Sequence, residues 1–292
     1  MDEVTTPEAK SVSAGVRPIP FKMQALDVAL GGLPSGTATL LAGAPDAGGD
    51  AFVYTHAAQV MLARHDPGLY PTDVSQYRGA LPDRVVYLTF RTGSRHILHA
   101  MDEVLDQYQF DTLIDNLTLL DYSDAFLGLA DVPAGFSRDR EAGPLDAVER
   151  RVKGGDSFQD FVEAVAQDLD ECGENAVVVV DSLSDLYLAG QFGLEERTLL
   201  GFLLGLQEAA VDWDGLVHVL YNRRAEDVRR EPVLNTLLNG NVYFYSNDKG
   251  FDTYRTMRVG SFGGALDREE QVVFQTLIGG TGFRVKSTKK LG

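Results

Sequence analysis

A single cysteine, Cys172, stands in a chain of 292 residues. A disulfide within the chain needs two, and a cysteine-rich metal centre needs more, so both are excluded. Cys172 falls near the end of a helical segment, the place of a small packing residue. Lysine is nearly as scarce: Lys10, Lys22, Lys153, Lys249, Lys286, Lys289 and Lys290 are all there are, and arginine supplies most of the positive charge. Against 26 basic residues stand 43 acidic ones, a net charge of −17. Such a chain lacks the basic stripe that phosphate-driven affinity requires, so direct nucleic-acid binding is not expected. No apolar run approaches the roughly 20 residues of a membrane-crossing helix, and the longest, around Ala176–Val180, is strand-sized. The opening MDEVTTPEAK is acidic and polar, without the apolar stretch of a signal peptide, and the expected location is cytoplasmic.

What is present is the makings of a globular core. Hydrophobic residues are 44% of the chain and the mean hydropathy is −0.10. After residues 1–17, which read as a flexible acidic tail, short β-rich runs alternate with amphipathic helical segments. That order builds a mainly parallel twisted sheet with helices on both faces. Strands are expected at Ala38–Ala42, Arg84–Phe90, Leu117–Asp121, Ala176–Asp181 and Val217–Tyr221. Helices are expected at Ala51–Arg64, Arg95–Gln107, Ser157–Glu171 and Glu195–Val211, with Asp156-Ser157 supplying an N-cap. The last third reads as C-terminal β-hairpins over Val242–Tyr245, Thr253–Val259, Gln271–Leu277 and Phe283–Val285. Turns are expected at Asn247–Gly250, Gly260–Gly264 and Gly279–Gly282. Segments 66–83 and 123–155, mixed in Gly, Pro and charge, read as mobile insertions, and residues 286–292 as a short basic tail. One α/β domain over 18–285 accounts for the whole pattern.

The run Gly43-Ala44-Pro45-Asp46-Ala47-Gly48-Gly49-Asp50 lies between a strand and a helix, the setting of a phosphate-binding loop with the pattern G-x-x-x-x-G-K-[ST]. Gly43 and Gly48 match the framing glycines. Gly49 stands at the lysine position and Asp50 at the hydroxyl position. A backbone cradle at a helix N-terminus suits a phosphate, but no ammonium reaches it and no hydroxyl binds Mg²⁺. A carboxylate about 4 Å from a phosphate charge costs on the order of 4 kcal/mol at an effective dielectric near 20. Asp50 therefore reads as a helix N-cap, with an unusual metal ligand as the alternative.

Two flanking segments give the loop its context. Upstream, Leu26-Asp27-Val28-Ala29-Leu30-Gly31-Gly32-Leu33-Pro34-Ser35-Gly36 resembles the lead-in of KaiC-like and archaeal RecA-like ATPases. Downstream, Val177–Val180 followed by Asp181-Ser182-Leu183 resembles their Walker B strand. The resemblance spans roughly Val16 to Val285 and implies a RecA-like P-loop NTPase fold. It also implies a catalytic glutamate after the second strand, where this chain has Arg91, and a K-x-R-G segment near the C-terminus, where it has Ser261–Gly264. Lysine, hydroxyl, general base and neighbour-supplied cations all depart from the family, while Asp181 remains. Phosphoryl transfer depends almost wholly on such positioned charges, so hydrolysis is not expected.

The expected nucleotide remnant is Gly43, Pro45, Gly48, Gly49, Asp50, Asp181 and Ser182, with no catalytic residue, metal or cofactor. Asp181 itself reads either as a Mg²⁺-organising acid or as a strand-end acid capping the next segment through Ser182. The acidic, lysine-poor composition is similar to that of salt-accumulating haloarchaeal proteins, whose surface charge is screened over roughly 3 Å in molar salt. An acidic surface evolved for a basic partner is the alternative. His96 and His99, three apart on a helix, have no third ligand nearby. Arg223, Arg224, Arg229 and Arg230 form either a binding edge or ion pairs with Glu226, Asp227 and Glu231. The expected function is a regulatory or scaffolding pseudo-ATPase that contacts a protein partner or a RecA-fold paralogue. The alternatives are an ATP-binding protein or slow ATPase using Asp50 and Asp181 with Mg²⁺, and a recombinase-paralogue-like DNA repair accessory.

Overall fold

Val177–Val180 is buried on both sides, which only the middle of a covered sheet allows. The computed structural model describes residues 17–69, 81–130, 132, 149–151, 156–223, 230–249, 252–262 and 272–290. Its main sheet begins with β3 (Thr37–Gly43), which follows a small β1–β2 ladder (Pro18–Ile19, Leu33–Pro34) around α1 (Gln24–Leu30). Then come α2 (Gly49–His65), β4 (Arg84–Thr89), α3 (Ser94–Val104), α4 (Gln107–Ile114) and β5 (Leu117–Asp121). The chain continues through α5 (Ser123–Leu129), β6 (Glu149–Arg151), α6 (Phe158–Cys172), β7 (Ala176–Asp181), α7 (Leu183–Ala189) and α8 (Glu196–Trp213). β8 (Leu216–Asn222), α9 (Glu231–Leu237) and four strands complete it: β9 (Gly240–Lys249), β10 (Asp252–Phe262), β11 (Val272–Gly279) and β12 (Gly282–Lys290).

The 10-stranded sheet runs in the order β12-β11-β10-β9-β3-β8-β7-β4-β5-β6. From β9 to β6 the pairs are parallel, and from β9 to β12 they are antiparallel. The fold is thus α/β, as the alternating pattern implies. One apolar layer gathers residues of α2, α3 and α4, and the other gathers residues of α5 to α9. At the centre, β3 is buried at all 7 of its positions.

Several elements differ from the sequence expectation. The helix expected over Arg95–Gln107 is two helices, because Asp106 builds a capping box with Gln109, each side chain taking the other's backbone N–H at 3.0 Å. The loop expected over 123–155 holds α5 at its start and β6 near its end: Phe126 anchors the helix in the core, and β5 offers β6 a free edge. Residues Asn247–Lys249 pair with β10 as part of β9 rather than forming a turn, and Gly250 lies outside the described residues. Gly260, Ser261 and Phe262 belong to β10, at a register shift that bends the strand, rather than to a turn. The Gly279–Gly282 turn is present as expected. The basic segment Lys286–Lys290 is no tail, since β11 pairs with it as far as Val272–Lys290. Residues 1–16, 70–80, 263–264 and 291–292 lie outside the described residues, as do Arg224, Glu226, Asp227 and Arg229. Among the described residues no helix is long and apolar enough to cross a membrane.

Candidate functional site

The loop between β3 and α2 is held by backbone contacts on all sides. A side chain on Gly43 would stand 2.8 Å from Phe244 Cβ and 2.9 Å from the Phe244 carbonyl, so β9 demands glycine there. The Ala47 N–H donates to the Ala44 carbonyl at 2.9 Å, closing a tight turn that leaves Ala44, Pro45 and Asp46 exposed. From β10, Arg255 Nε donates to the Asp46 carbonyl at 2.8 Å.

Gly48, with φ 101°, is the N-cap of α2. Asp50 is therefore not the cap. It sits inside the first turn, at the second position of the helix. Only glycine takes the left-handed conformation at position 48 without strain, and that sets the helix start. Gly49 opens the helix, and a Cβ there would meet Leu220 and Phe244 at an ordinary 3.6 Å. Burial pushes the Asp50 carboxyl up to about 6, against the usual preference for an acid at a helix N-terminus.

Across from it, β7 ends at Asp181, joined to Ser182 by a cis peptide bond. The Tyr87 hydroxyl, from the neighbouring β4, donates to Asp181 Oδ2 at 2.8 Å. Burial, and then the Asp50 charge, push Asp181 up to about 7, with the Tyr87 hydrogen bond pulling the other way. Tyr54 of α2 lies with its ring 6.0 Å from that of Tyr87. Burial, and then Asp181, raise both tyrosines. Two carboxyls and two phenols thus share one place at the carboxyl ends of the strands, where open α/β sheets place ligands.

Ser182 occupies the N-cap position of α7, yet makes no side-chain cap bond to the helix backbone. Its hydroxyl lies 3.1 Å from Asp185 Oδ2, and Arg91 Nε donates to Asp185 Oδ1 at 2.6 Å. The guanidinium at the position resembling the family's general base is thus committed to a buried acid. Tyr54, Tyr87 and Asp185 were absent from the sequence-based site. Tyr54 follows Asp50 by one helical turn of α2, and Asp185 lies three residues past Ser182, within reach of its hydroxyl once 183–189 is read as a helix.

Elsewhere, Arg223 pairs with Glu231 and lies 5.8 Å over the Tyr243 ring, while Arg230 lies 4.5 Å over Tyr187. For Arg223, internal pairing is thus observed. His96 and His99 are both exposed on α3. No three His, Cys, Asp or Glu among the described residues are grouped to hold a metal ion. Cys172 ends α6, its thiol donating to the Asp168 carbonyl at 2.9 Å. In the core, His56 Nδ1 of α2 lies 3.0 Å from His218 Nε2 of β8, a pair 162 residues apart.

No family model matches the chain, and neither does any curated protein. Among solved structures it is similar to a KaiC-like protein of the hyperthermophilic archaeon Pyrococcus horikoshii, with a TM-score of 0.60 and 15% identity. The match covers 94% of this chain and 100% of that one. What the two share at that identity is the fold, a mainly parallel α/β sheet covered by helices on both faces.

Proposed function

We propose that the chain is a KaiC-like protein that no longer hydrolyses ATP and acts through protein–protein contact, as a regulatory or scaffolding component. One observation carries this reading. Where a RecA-type ATPase places lysine and a metal-binding hydroxyl, this chain places Gly49 and Asp50, and Asp50 adds its charge to the environment of Asp181. A nucleotide phosphate entering that space would meet carboxylates without an ammonium, and the nearest guanidinium, Arg91, is bonded to Asp185. Catalysis of phosphoryl transfer needs the opposite arrangement of charge. The fold and its subunit-packing surfaces outlast such losses, which leaves contact with a partner or a RecA-fold paralogue as the retained role. The acidic, lysine-poor surface supports a salt-rich cytoplasm as its setting.

A second reading, an atypical ATP site, is favoured by the same pair of acids. A divalent cation between Asp50 and Asp181 would relieve the charge that raises Asp181. Titration of Mg-ATP in molar KCl, followed by heat and by melting temperature, separates the two. No saturable effect below millimolar ATP is expected. A saturable effect that disappears in Asp181→Ala would overturn the first reading and establish the second.

A further inference from the structure

Helices α6 and α8 lie side by side on one face of the sheet and leave between them an open groove of about 680 Å³. Its floor is apolar, formed by Val162 and Leu169 of α6 and by Phe202, Leu206 and Trp213 of α8. Its walls are low, because Ala166 faces Gly201 and Gly205. A side chain on either glycine would meet nothing within 4 Å. Each glycine inside a helix costs about 1 kcal/mol relative to alanine, and no contact among the described residues repays it. On another face α8 also exposes Leu204 (49%) and Val211 (58%), neither of which lines the groove. A surface helix with two glycines over an apolar floor is shaped for close approach by another backbone.

Charge selects the visitor. The two helices carry seven exposed carboxylates, four in α6 and three in α8, while Asp168 is buried against Tyr122; the one cation, Arg197, stands at the groove. Glu163 and Asp170 stand on the α6 rim of the groove. Two copies of this surface would bring acid against acid, so a second copy is opposed, whereas an apolar helix with basic flanks meets both floor and rim.

We propose that the α6–α8 groove is a docking site for an amphipathic helix of a protein partner, apolar on the buried face and lysine- or arginine-rich along its flanks. The proposal rests on the contact role argued above and names its chemistry. Its failure is distinguishable from that of the nucleotide reading, because docking is read at Trp213 and ATP binding at Asp181.

Trp213 is the only tryptophan of the chain, so its emission reports on the groove alone. The 292-residue chain is titrated with a four-turn amphipathic peptide, leucine and alanine on one face and lysine on the flanks, and with a twin carrying glutamate flanks. The lysine peptide is expected to shift the emission saturably, at least about tenfold more tightly than the twin, and to weaken as KCl rises. Gly201→Leu and Gly205→Leu are expected to abolish the shift while keeping or raising the melting temperature, since both point into open space and leucine favours the helix. Equal binding of both peptides, or unchanged binding in the leucine variants, overturns the proposal. So does self-association, seen by sedimentation, that Gly205→Leu removes while neither peptide acts, for that outcome gives the groove to a second copy.

Discussion

Arg91 Nε donates to Asp185 Oδ1 at 2.6 Å, tying the end of β4 to the first turn of α7. Asp185 is only 6% exposed and also has the Ser182 hydroxyl within reach. Removing the guanidinium leaves a buried acid without its counter-charge, which costs about 3 kcal/mol when a pair is fully enclosed and less where, as here, one partner reaches solvent. Arg91→Gln is expected to lower stability by on the order of 1 to 2 kcal/mol in chemical denaturation. Arg91→Glu, which restores an acid at the position resembling the family's base, is expected to be worse and to give no ATP turnover, because it adds a charge beside Asp181 and Asp185. An active Arg91→Glu enzyme would contradict the proposed loss of function.

The glycines of the loop respond differently to the same change. Gly43→Ala drives a methyl into the Phe244 backbone and is expected to cost about 1 to 3 kcal/mol. Gly49→Ala meets only ordinary contacts and gains helix propensity, so its melting temperature is expected to match or exceed that of the wild type. Thermal melts of the two variants side by side make the comparison.

Lysine and a hydroxyl can be returned. Since Gly49 has room for a Cβ, the double variant Gly49→Lys, Asp50→Thr is expected to bind Mg-ATP where the wild type does not, measured by calorimetry. Phosphate release is expected to stay at background, because Arg91 still occupies the general-base position. Turnover in the double variant would show that Arg91 does not by itself prevent hydrolysis.

Acidity should pull stability in two directions. Asp50 and Asp181 are raised in the folded state to about 6 and about 7, so the fold holds protons the unfolded chain has released. Their contribution is complete below about pH 4 and is lost as the pH climbs through 7. Burial lowers His56 to about 4, so its contribution is complete above about 6.5 and is lost as the pH falls through 4; burial lowers His218 as well, and its contribution has the same sign. The two slopes oppose each other across pH 4 to 7. Asp181→Asn is expected to raise stability at pH 8, by on the order of 1 kcal/mol, and to leave pH 4 unchanged. His218→Phe, which leaves His56 buried, is expected to weaken the rise in stability between pH 4 and 6.5 without removing it. Denaturation midpoints across the range test both signs.

The parallel half of the sheet was readable because its strands are buried on both faces and so appear as unbroken apolar runs: Leu117–Asp121 and Ala176–Asp181 are placed to the residue. Break points were less readable. The α3–α4 boundary depends on Asp106 and Gln109 bonding each other, a signal of two side chains inside an otherwise continuous helical pattern. In the site, the glycines and the two aspartates announce themselves by spacing along the chain. Tyr87 does not, since it reaches Asp181 from an adjacent strand 94 residues away. The His56–His218 pair is hidden for the same reason. Periodicity marks which face a residue occupies, and says nothing of which distant strand will lie beside it.

The position of β3 carries an order of events. Its two ladder partners are β8 and β9, whose residues lie some 180 to 200 places further along the chain. The first turns of α2 wait longer still: Thr55 Oγ1 accepts from the Phe283 N–H at 2.8 Å, and Gly48 rests under Ile278. A chain emerging from the ribosome meets the strand that starts this loop early and its last supports almost at the end. Contacts of such sequence separation form slowly, since a long loop must close before any of them is made. Until residue 283 is free to pair, the β3–α2 segment has no finished shape to hand to a chaperone, a partner or a protease.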